Sequence, residues 1–183
     1  MNIGIVAAKE HSKRLPNKNI LSLNGCPMFW HSVRPLLESD MVKKVYVATD
    51  SSYIKEYCEE RNVSVIWRSK NAAIDEDKLI NILRYAHYCI DEECDTITTI
   101  MANCPGHTSE DVDKAILLLK NKSLREVRSF NTEGEESGLM VFSKKVMKTN
   151  SDISYYIGCT TDDVKEIHDC EDLDQDQLLK GRI

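Results

Sequence analysis

The sequence predicts an α/β fold, a mostly parallel sheet with helices on both faces in a three-layer αβα sandwich. Three observations lead there. Short aliphatic runs alternate with longer amphipathic ones along the 183 residues. The first run, Ile3-Gly4-Ile5-Val6-Ala7-Ala8, is β-branched and shows no polar alternation, as a strand buried on both faces requires. A chain of this length also buries a real core, and no repeat or low-complexity linker divides it, so one domain over residues 1–183 is the economical expectation.

The elements follow in order. After the strand at 3–8 and a long polar loop, residues 28–38 read as a helix, with Pro35 expected to kink or stop it. Residues 44–49 are a second strand ending at Asp50, and Ser51 or Ser52 is the expected cap of a helix running to Arg61. A third strand at 63–67 precedes a helix over 75–90 that aligns Leu79, Ile82, Leu83 and Ala86 on one face. A fourth strand spans 95–101. Ser109 is the expected cap of the next helix, which runs to about Lys120 and presents Val112, Ile116 and Leu119. The last third is less regular: a strand at 125–130, a polar acidic loop at 131–137, a strand at 138–142 and a short helix at 144–148. Residues 154–157 are ambiguous, and 171–180 read as a C-terminal helix.

Composition narrows the function. The formal net charge of -6 argues against a nucleic-acid-binding surface, though not against a local basic pocket. The seven cysteines are scattered without a Cys-x-x-Cys pair, which suits free thiols in a reducing compartment and not a zinc site. The first apolar run is too short for a signal peptide and no segment reaches the length of a membrane span, so the cytoplasm is the expected location. A P-loop kinase lacks its Gly-x-x-x-x-Gly-Lys here and a dehydrogenase its Gly-x-Gly-x-x-Gly.

The most informative stretch follows the first strand: Lys9-Glu10-His11-Ser12-Lys13-Arg14-Leu15-Pro16-Asn17-Lys18-Asn19. It places four cations, Lys9, Lys13, Arg14 and Lys18, in a loop at the carboxyl end of a strand, where open α/β sheets bind ligands. Cations there suit an anion, above all a phosphate. Attack on the α-phosphate of a nucleoside triphosphate needs those charges neutralised and the leaving pyrophosphate held.

The stretch resembles the signature of the sugar-activating cytidylyltransferases, the family of CMP-sialic acid and CMP-Kdo synthetases: a strand, then Ala-Arg-Gly-Gly-Ser-Lys-Arg-Leu-Pro-x-Lys-Asn. Agreement falls at Ala8, Ser12, Lys13, Arg14, Leu15, Pro16, Lys18 and Asn19. Further patches are similar: Ala48-Thr49-Asp50-Ser51 to Ser-Thr-Asp-Ser, Arg68 with Ala72-Ala73-Ile74-Asp75 to Arg-Pro followed by Leu-Ala-x-Asp, and residues 101–113 to Gln-Pro-Thr-Ser-Pro-Leu-Arg-Thr-x-Glu-Asp-Ile-Asp. Glu166-Ile167-His168-Asp169 is similar to the family's acidic Glu-Ile-Asp-Asp segment. The match is strongest over residues 3–25, 45–54 and 104–113.

The resemblance implies a Rossmann-like fold of the nucleotide-diphospho-sugar transferase type. It implies transfer of CMP from CTP to the anomeric hydroxyl of an acidic sugar, with Mg²⁺. Arg14 and Lys18 would act on the phosphates. Ala8, Lys9, Ser12, Lys13, Asn19, Arg68 and Asn103 would touch the nucleotide, and Glu166, His168 and Asp169 would place the metal. The residues alone leave other readings open: Asp50 as a helix cap, Arg68 as a surface charge, and the 166–169 carboxylates as partners of a helix dipole. Cys104 reads as a packed thiol.

The departures matter. The family's Gly-Gly is Glu10-His11, and a Glu there repels a triphosphate unless it turns away. The leading Arg is Lys9, Gln-Pro-Thr-Ser is Met101-Ala102-Asn103-Cys104, and a metal-binding Asp is His168, a poor Mg²⁺ ligand. The chain is also shorter than usual members, in the segment between Phe130 and Gly138. A catalytically degenerate nucleotide- or partner-binding protein, and a transferase for another nucleotide or acceptor, therefore stand as alternatives. The acceptor, the base preference and association into a homodimer are left open.

Overall fold

The computed structural model describes residues 1–12, 14–68, 78–148, 157–169 and 172. Lys13, Asp75 and the expected C-terminal helix fall outside these residues, as do 154–156.

The chain opens with β1 (Asn2–Ala7), whose side chains are almost all buried. A long loop ends in one 3₁₀ turn at Lys18–Ile20 and a small hairpin of β2 (Ser22–Leu23) and β3 (Cys26–Pro27). Asn24 and Gly25, both at positive φ (49° and 81°), make the two-residue turn. The helix α1 (Trp30–Glu38) follows and runs straight through Pro35, so the expected early stop does not occur. Then come β4 (Lys44–Thr49), α2 (Ser52–Glu59), β5 (Ser64–Trp67), α3 (Leu79–Tyr88) and β6 (Thr96–Ile100). Ser51 is the cap of α2, its hydroxyl accepting from the Ile54 N–H.

The next helix, α4 (Ser109–Asn121), is capped by Thr108 and not by Ser109. Thr108 and Asp111 form a reciprocal capping box, which satisfies two otherwise unpaired donors at once. The strands β7 (Glu126–Asn131) and β8 (Glu136–Ser143) extend into the expected 131–137 loop, leaving a tight hairpin closed by Asn131 N–H to Glu135 O at 2.8 Å. The short α5 (Lys144–Lys148) falls where the sequence predicts it. The ambiguous region opens a strand, β9 (Ile157–Asp162), absent from the sequence reading.

The sheet has seven strands in the order β5-β4-β1-β6-β8-β7-β9. Only β8 runs against its neighbours β6 and β7; the other pairs are parallel. Alternate strand residues face opposite cores. On one side Val6, Val47 and Val141 pack with Phe29, Val33, Ile54 and Ile116 from α1, α2 and α4. On the other, Ile3, Ile5 and Phe142 pack with Leu83, Ala86 and Met147 from α3 and α5. These are the three layers expected. Burial of such side chains contributes about 1.5–3 kcal/mol each, and the rigid sheet it holds fixes where the strand-end loops meet. No helix among the described residues is long and apolar enough to cross a membrane.

Candidate functional site

Strands β1, β4 and β6 end on the same edge, and topology brings their loops together there. Ala8 is fully buried and continues the ladder, its N–H bonding Ala48 O at 3.0 Å. The Glu10 N–H is taken by Asp50 Oδ1 at 2.8 Å, so Asp50 ties the β1 loop to the end of β4 while Ser51 caps α2.

Asn19 closes the basic loop. It is only 5% exposed; its Nδ2 donates to Lys9 O at 2.8 Å, and its carbonyl accepts from the Phe29 N–H at 3.0 Å. Its Oδ1 is buried without a hydrogen-bond partner. Asn17 takes a left-handed φ of 57°, which turns the chain so that Lys18 points back over the loop. Asn tolerates that conformation better than most residues. The adjoining hairpin is pinned to α1 by the buried His31, whose Nε2–H donates to Leu23 O at 2.8 Å; burial lowers the pKa of that imidazole.

Opposite the loop runs the segment after β9. Lys18 Nζ donates to Ile167 O at 3.1 Å and Arg14 Nη1 to His168 Nδ1 at 2.9 Å. An arginine has no acceptor, so this bond requires His168 to carry its proton on Nε2. That nitrogen lies 3.5 Å from Glu166 Oε2. Glu166 Oε1 in turn accepts from Asn103 Nδ2 at 2.7 Å. Asn103 also binds the backbone of Ile167 in both directions, each bond 2.8 Å. The loop after β6 thus holds the 163–169 segment as a strap over the basic loop.

The strap's near end is fixed by a buried network. His107 Nε2–H donates to Ser137 O at 2.8 Å, and its Nδ1 lies 3.7 Å from Asp162 Oδ2, with both side chains buried. Ser137 Oγ donates to the same Asp162 oxygen at 2.8 Å, and the Val164 N–H to Asp162 Oδ1 at 3.0 Å.

The converging charges act on one another. Burial lowers the Lys18 pKa below the usual lysine range; Glu166 and Cys104 oppose that, while Arg14 and Lys9 add to it. Cys104 is fully buried, the packed thiol expected, and its pKa is pushed far up by burial and then by Glu166.

Of the residues singled out from sequence, Ala8, Lys9, Arg14, Lys18, Asn19, Asn103, Glu166 and His168 lie together at this edge. Ser12 sits in the same loop. Arg68 follows β5 and is only 3% exposed, which excludes the reading as a plain surface charge; its N–H bonds Thr49 O at 2.8 Å. The expected metal set does not converge as three ligands. Asp169 Oδ1 accepts from the Asp172 N–H at 3.2 Å, and Asp172 Oδ2 accepts from the N–H groups of His168 and Asp169 at 2.6 and 3.1 Å, a local turn. Among the described residues no three His, Cys, Asp or Glu are grouped to hold a metal. Glu166 carries a carboxylate close enough to Lys18 to raise its pKa, and one or two carboxylates suffice for a Mg²⁺ that also binds substrate phosphates. The sequence reading missed Asp162, His107 and the Ile167 carbonyl. For the first two, the Asp after a Thr-rich run and the buried-loop His gave no local signal.

Comparison with known proteins bears on the same residues. The family model described as cytidylyltransferase matches residues 3–180. An N-acylneuraminate cytidylyltransferase of Streptococcus agalactiae serotype III is 30% identical over 141 residues, 75% of this chain and 33% of the relative. A CMP-N,N'-diacetyllegionaminic acid synthase of Legionella pneumophila is 28% identical over 122 residues, 64% of this chain and 53% of the relative. The chain therefore spans about a third to a half of the length of these relatives. Among solved structures, a CMP:2-keto-3-deoxy-manno-octonic acid synthetase complexed with CTP superposes with a TM-score of 0.82 at 13% identity, over 100% of this chain and 99% of that one. That likeness shows the fold, a Rossmann-like αβα sandwich.

Proposed function

The chain belongs to the cytidylyltransferase family, and from that premise we propose that it moves CMP from CTP to the anomeric hydroxyl of an acidic sugar, of the sialic acid or Kdo type, releasing pyrophosphate. The observation that carries this reading is the meeting of Arg14 and Lys18 with the strap at Ile167 and His168. It gathers cations at the edge where α/β sheets take ligands.

In this reading the triphosphate lies along Lys9, Lys13, Arg14 and Lys18. Arg14 and Lys18 exchange their bonds to the strap for bonds to phosphate oxygens. The fork of Arg14 grips two oxygens, and Lys18 acts as a point charge. The acceptor's anomeric oxygen forms its bond to the α-phosphorus as the bond to the bridging oxygen breaks; pyrophosphate leaves, and the hydroxyl proton passes to water. The cations hold the charge that builds on the phosphoryl oxygens, each such donor contributing about 3–4 kcal/mol to the barrier's reduction. Asn19 Oδ1, buried without a partner, suits a donor on the nucleotide. Asn103 reaches the nucleotide through the strap, since both of its donated bonds go to Glu166 and Ile167. Arg68, at the end of β5, is assigned to the nucleotide in this reading. Glu166 would hold a Mg²⁺ bound to the triphosphate, and the ion would supply neutralisation of phosphate charge.

A second reading, nucleotide binding without turnover, is favoured by one observation. Where the resembled family has glycine N–H groups facing phosphate, the Glu10 N–H is already bound to Asp50. One experiment separates the two: pyrophosphate release from CTP with Mg²⁺ and a panel of acidic sugars, beside equilibrium CTP binding. Release with at least one sugar supports the transferase. Binding without release supports the second reading, and absence of both overturns each.

A further inference from the structure

We propose that the cavity at the opposite, amino edge of the sheet is a second anion site that takes a small polyphosphate. Strands β6 and β7 begin there and the antiparallel β8 ends there, so Asp95, Arg125 and Ser143 come together far from the β1 loop. The walls are tied to one another: the Ser143 N–H bonds Arg125 O at 2.8 Å and the Lys144 N–H bonds Asp95 O at 2.7 Å. Between them, α4 and α5 border an open pocket of about 640 Å³, within the range of small-molecule sites.

The lining is strongly one-signed in a chain whose net charge is -6. Among the described residues that line it, Lys120, Arg125, Lys144, Lys145 and Lys148 stand beside one carboxylate, Asp95. That carboxylate is engaged by the Met1 amine, and Lys144 lies 3.6 Å from the exposed Glu93. Among the described residues, no carboxylate pairs with Lys120, Lys145 or Lys148. The leucines Leu119 and Leu124 form an apolar wall beside these cations, which lowers the local dielectric and strengthens their attraction for an anion.

The positive field is felt nearby. The pKa of His87 is lowered by burial first and by Lys144 and Lys148 next. Asp95 is lowered mainly by the Met1 amine, with Lys144 and Lys120 adding. Lys120, Lys145 and Lys148 do complement the C-terminal turns of their own helices. That role does not account for Lys144 at the start of α5, or for Arg125, which reaches the same space from the start of β7.

The test is calorimetric titration with inorganic tripolyphosphate in moderate salt. It compares the unmodified protein, the triple variant Lys120→Gln, Lys145→Gln, Lys148→Gln, and the double variant Arg14→Gln, Lys18→Gln. These three lysines are exposed, so their replacement leaves the fold intact. The expected result is a binding event that survives in the double variant and weakens on the order of a hundredfold in the triple variant. A second reading comes from the His87 imidazole by NMR. Bound anion cancels the cationic field, so the His87 pKa rises on addition of tripolyphosphate, and does not in the triple variant. If the double variant loses all binding and His87 does not move, the cavity is no anion site, although the β1 loop site stands. Binding unchanged in both variants, or absent throughout, equally overturns the proposal.

Discussion

The two sides of the candidate site are assembled in opposite ways. The basic loop gathers its cations within a few residues of β1 and clamps itself with Asn19. The strap brings Ile167 and His168 to the same place from 149 and 154 residues away, and depends on β9, Asn103 and the His107–Asp162 pair to arrive there. The first side is chemistry held locally; the second is position held by tertiary contacts. Changes to the loop should therefore alter function with little effect on stability, and changes that support the strap should do the reverse or act through substrate binding.

The largest effect expected is on the loop. Lys18→Gln should lower kcat/KM for CTP by about 10²–10³. It should leave the melting temperature unchanged or slightly higher, because a half-buried cation is removed. A large fall in melting temperature with kcat/KM intact would place Lys18 on the structural side of the comparison.

Next comes the wall behind the strap. Gly138 has φ +90° at the register shift between β7 and β8, and a Cβ there would collide with the Cys104 sulfur. Gly138→Ala should cost about 3 kcal/mol in urea unfolding; stability within 1 kcal/mol of the parent would show that Cys104 yields freely. Smaller again is Asn103→Ala, which removes the donor of Glu166 Oε1 and one of the two donors of Ile167 O. It should raise the KM for CTP about tenfold, or about 1.4 kcal/mol, with kcat little changed. An equal fall in kcat would instead place Asn103 in the chemical step.

The lowered pKa of Lys18 makes a pH prediction with a definite sign. The ammonium is lost at a lower pH than from an ordinary lysine, so CTP binding should weaken on the alkaline side, below pH 10.5. Folding stability should meanwhile rise with pH between the lowered value and 10.5, since there the unfolded chain binds more protons. Lys18→Arg should remove the alkaline limb, because a guanidinium stays charged; an unmoved limb would assign it to another group.

Smallest of all is a control outside both regions. Glu92 is held down to about 2 by hydrogen bonds from Lys44 and Tyr46. Its contribution is present above the ordinary carboxylate range and fades as pH falls toward 2. Glu92→Gln should flatten only that acid slope, a small effect for an exposed pair, and leave CTP binding unchanged.

The same contrast explains what the sequence made legible. Strand β4 and the helix α5 fall at their predicted residues because periodicity and burial are local signals. The cation loop was readable for the same reason. Thr108 was overlooked as a cap although Thr108-x-x-Asp111 carries the capping-box spacing, and Asn24-Gly25 carried an unread hairpin signal. Those two were recoverable. Strand β9 was not: Ile157-Gly158-Cys159-Thr160-Thr161-Asp162 has a half-exposed, weakly apolar pattern, and only its parallel pairing with β7 makes it a strand. The bond from Arg14 to His168 depends on that pairing, so neither the composition nor the spacing of the strap announces it.

The central claim is that one bound triphosphate draws Arg14 and Lys18 away from the strap. A crystal structure with CTP and Mg²⁺ tests it most directly. It should show both side chains on phosphate oxygens, their bonds to His168 Nδ1 and Ile167 O broken, and Glu166 facing the ion. A nucleotide bound elsewhere, with those two bonds intact, would contradict it.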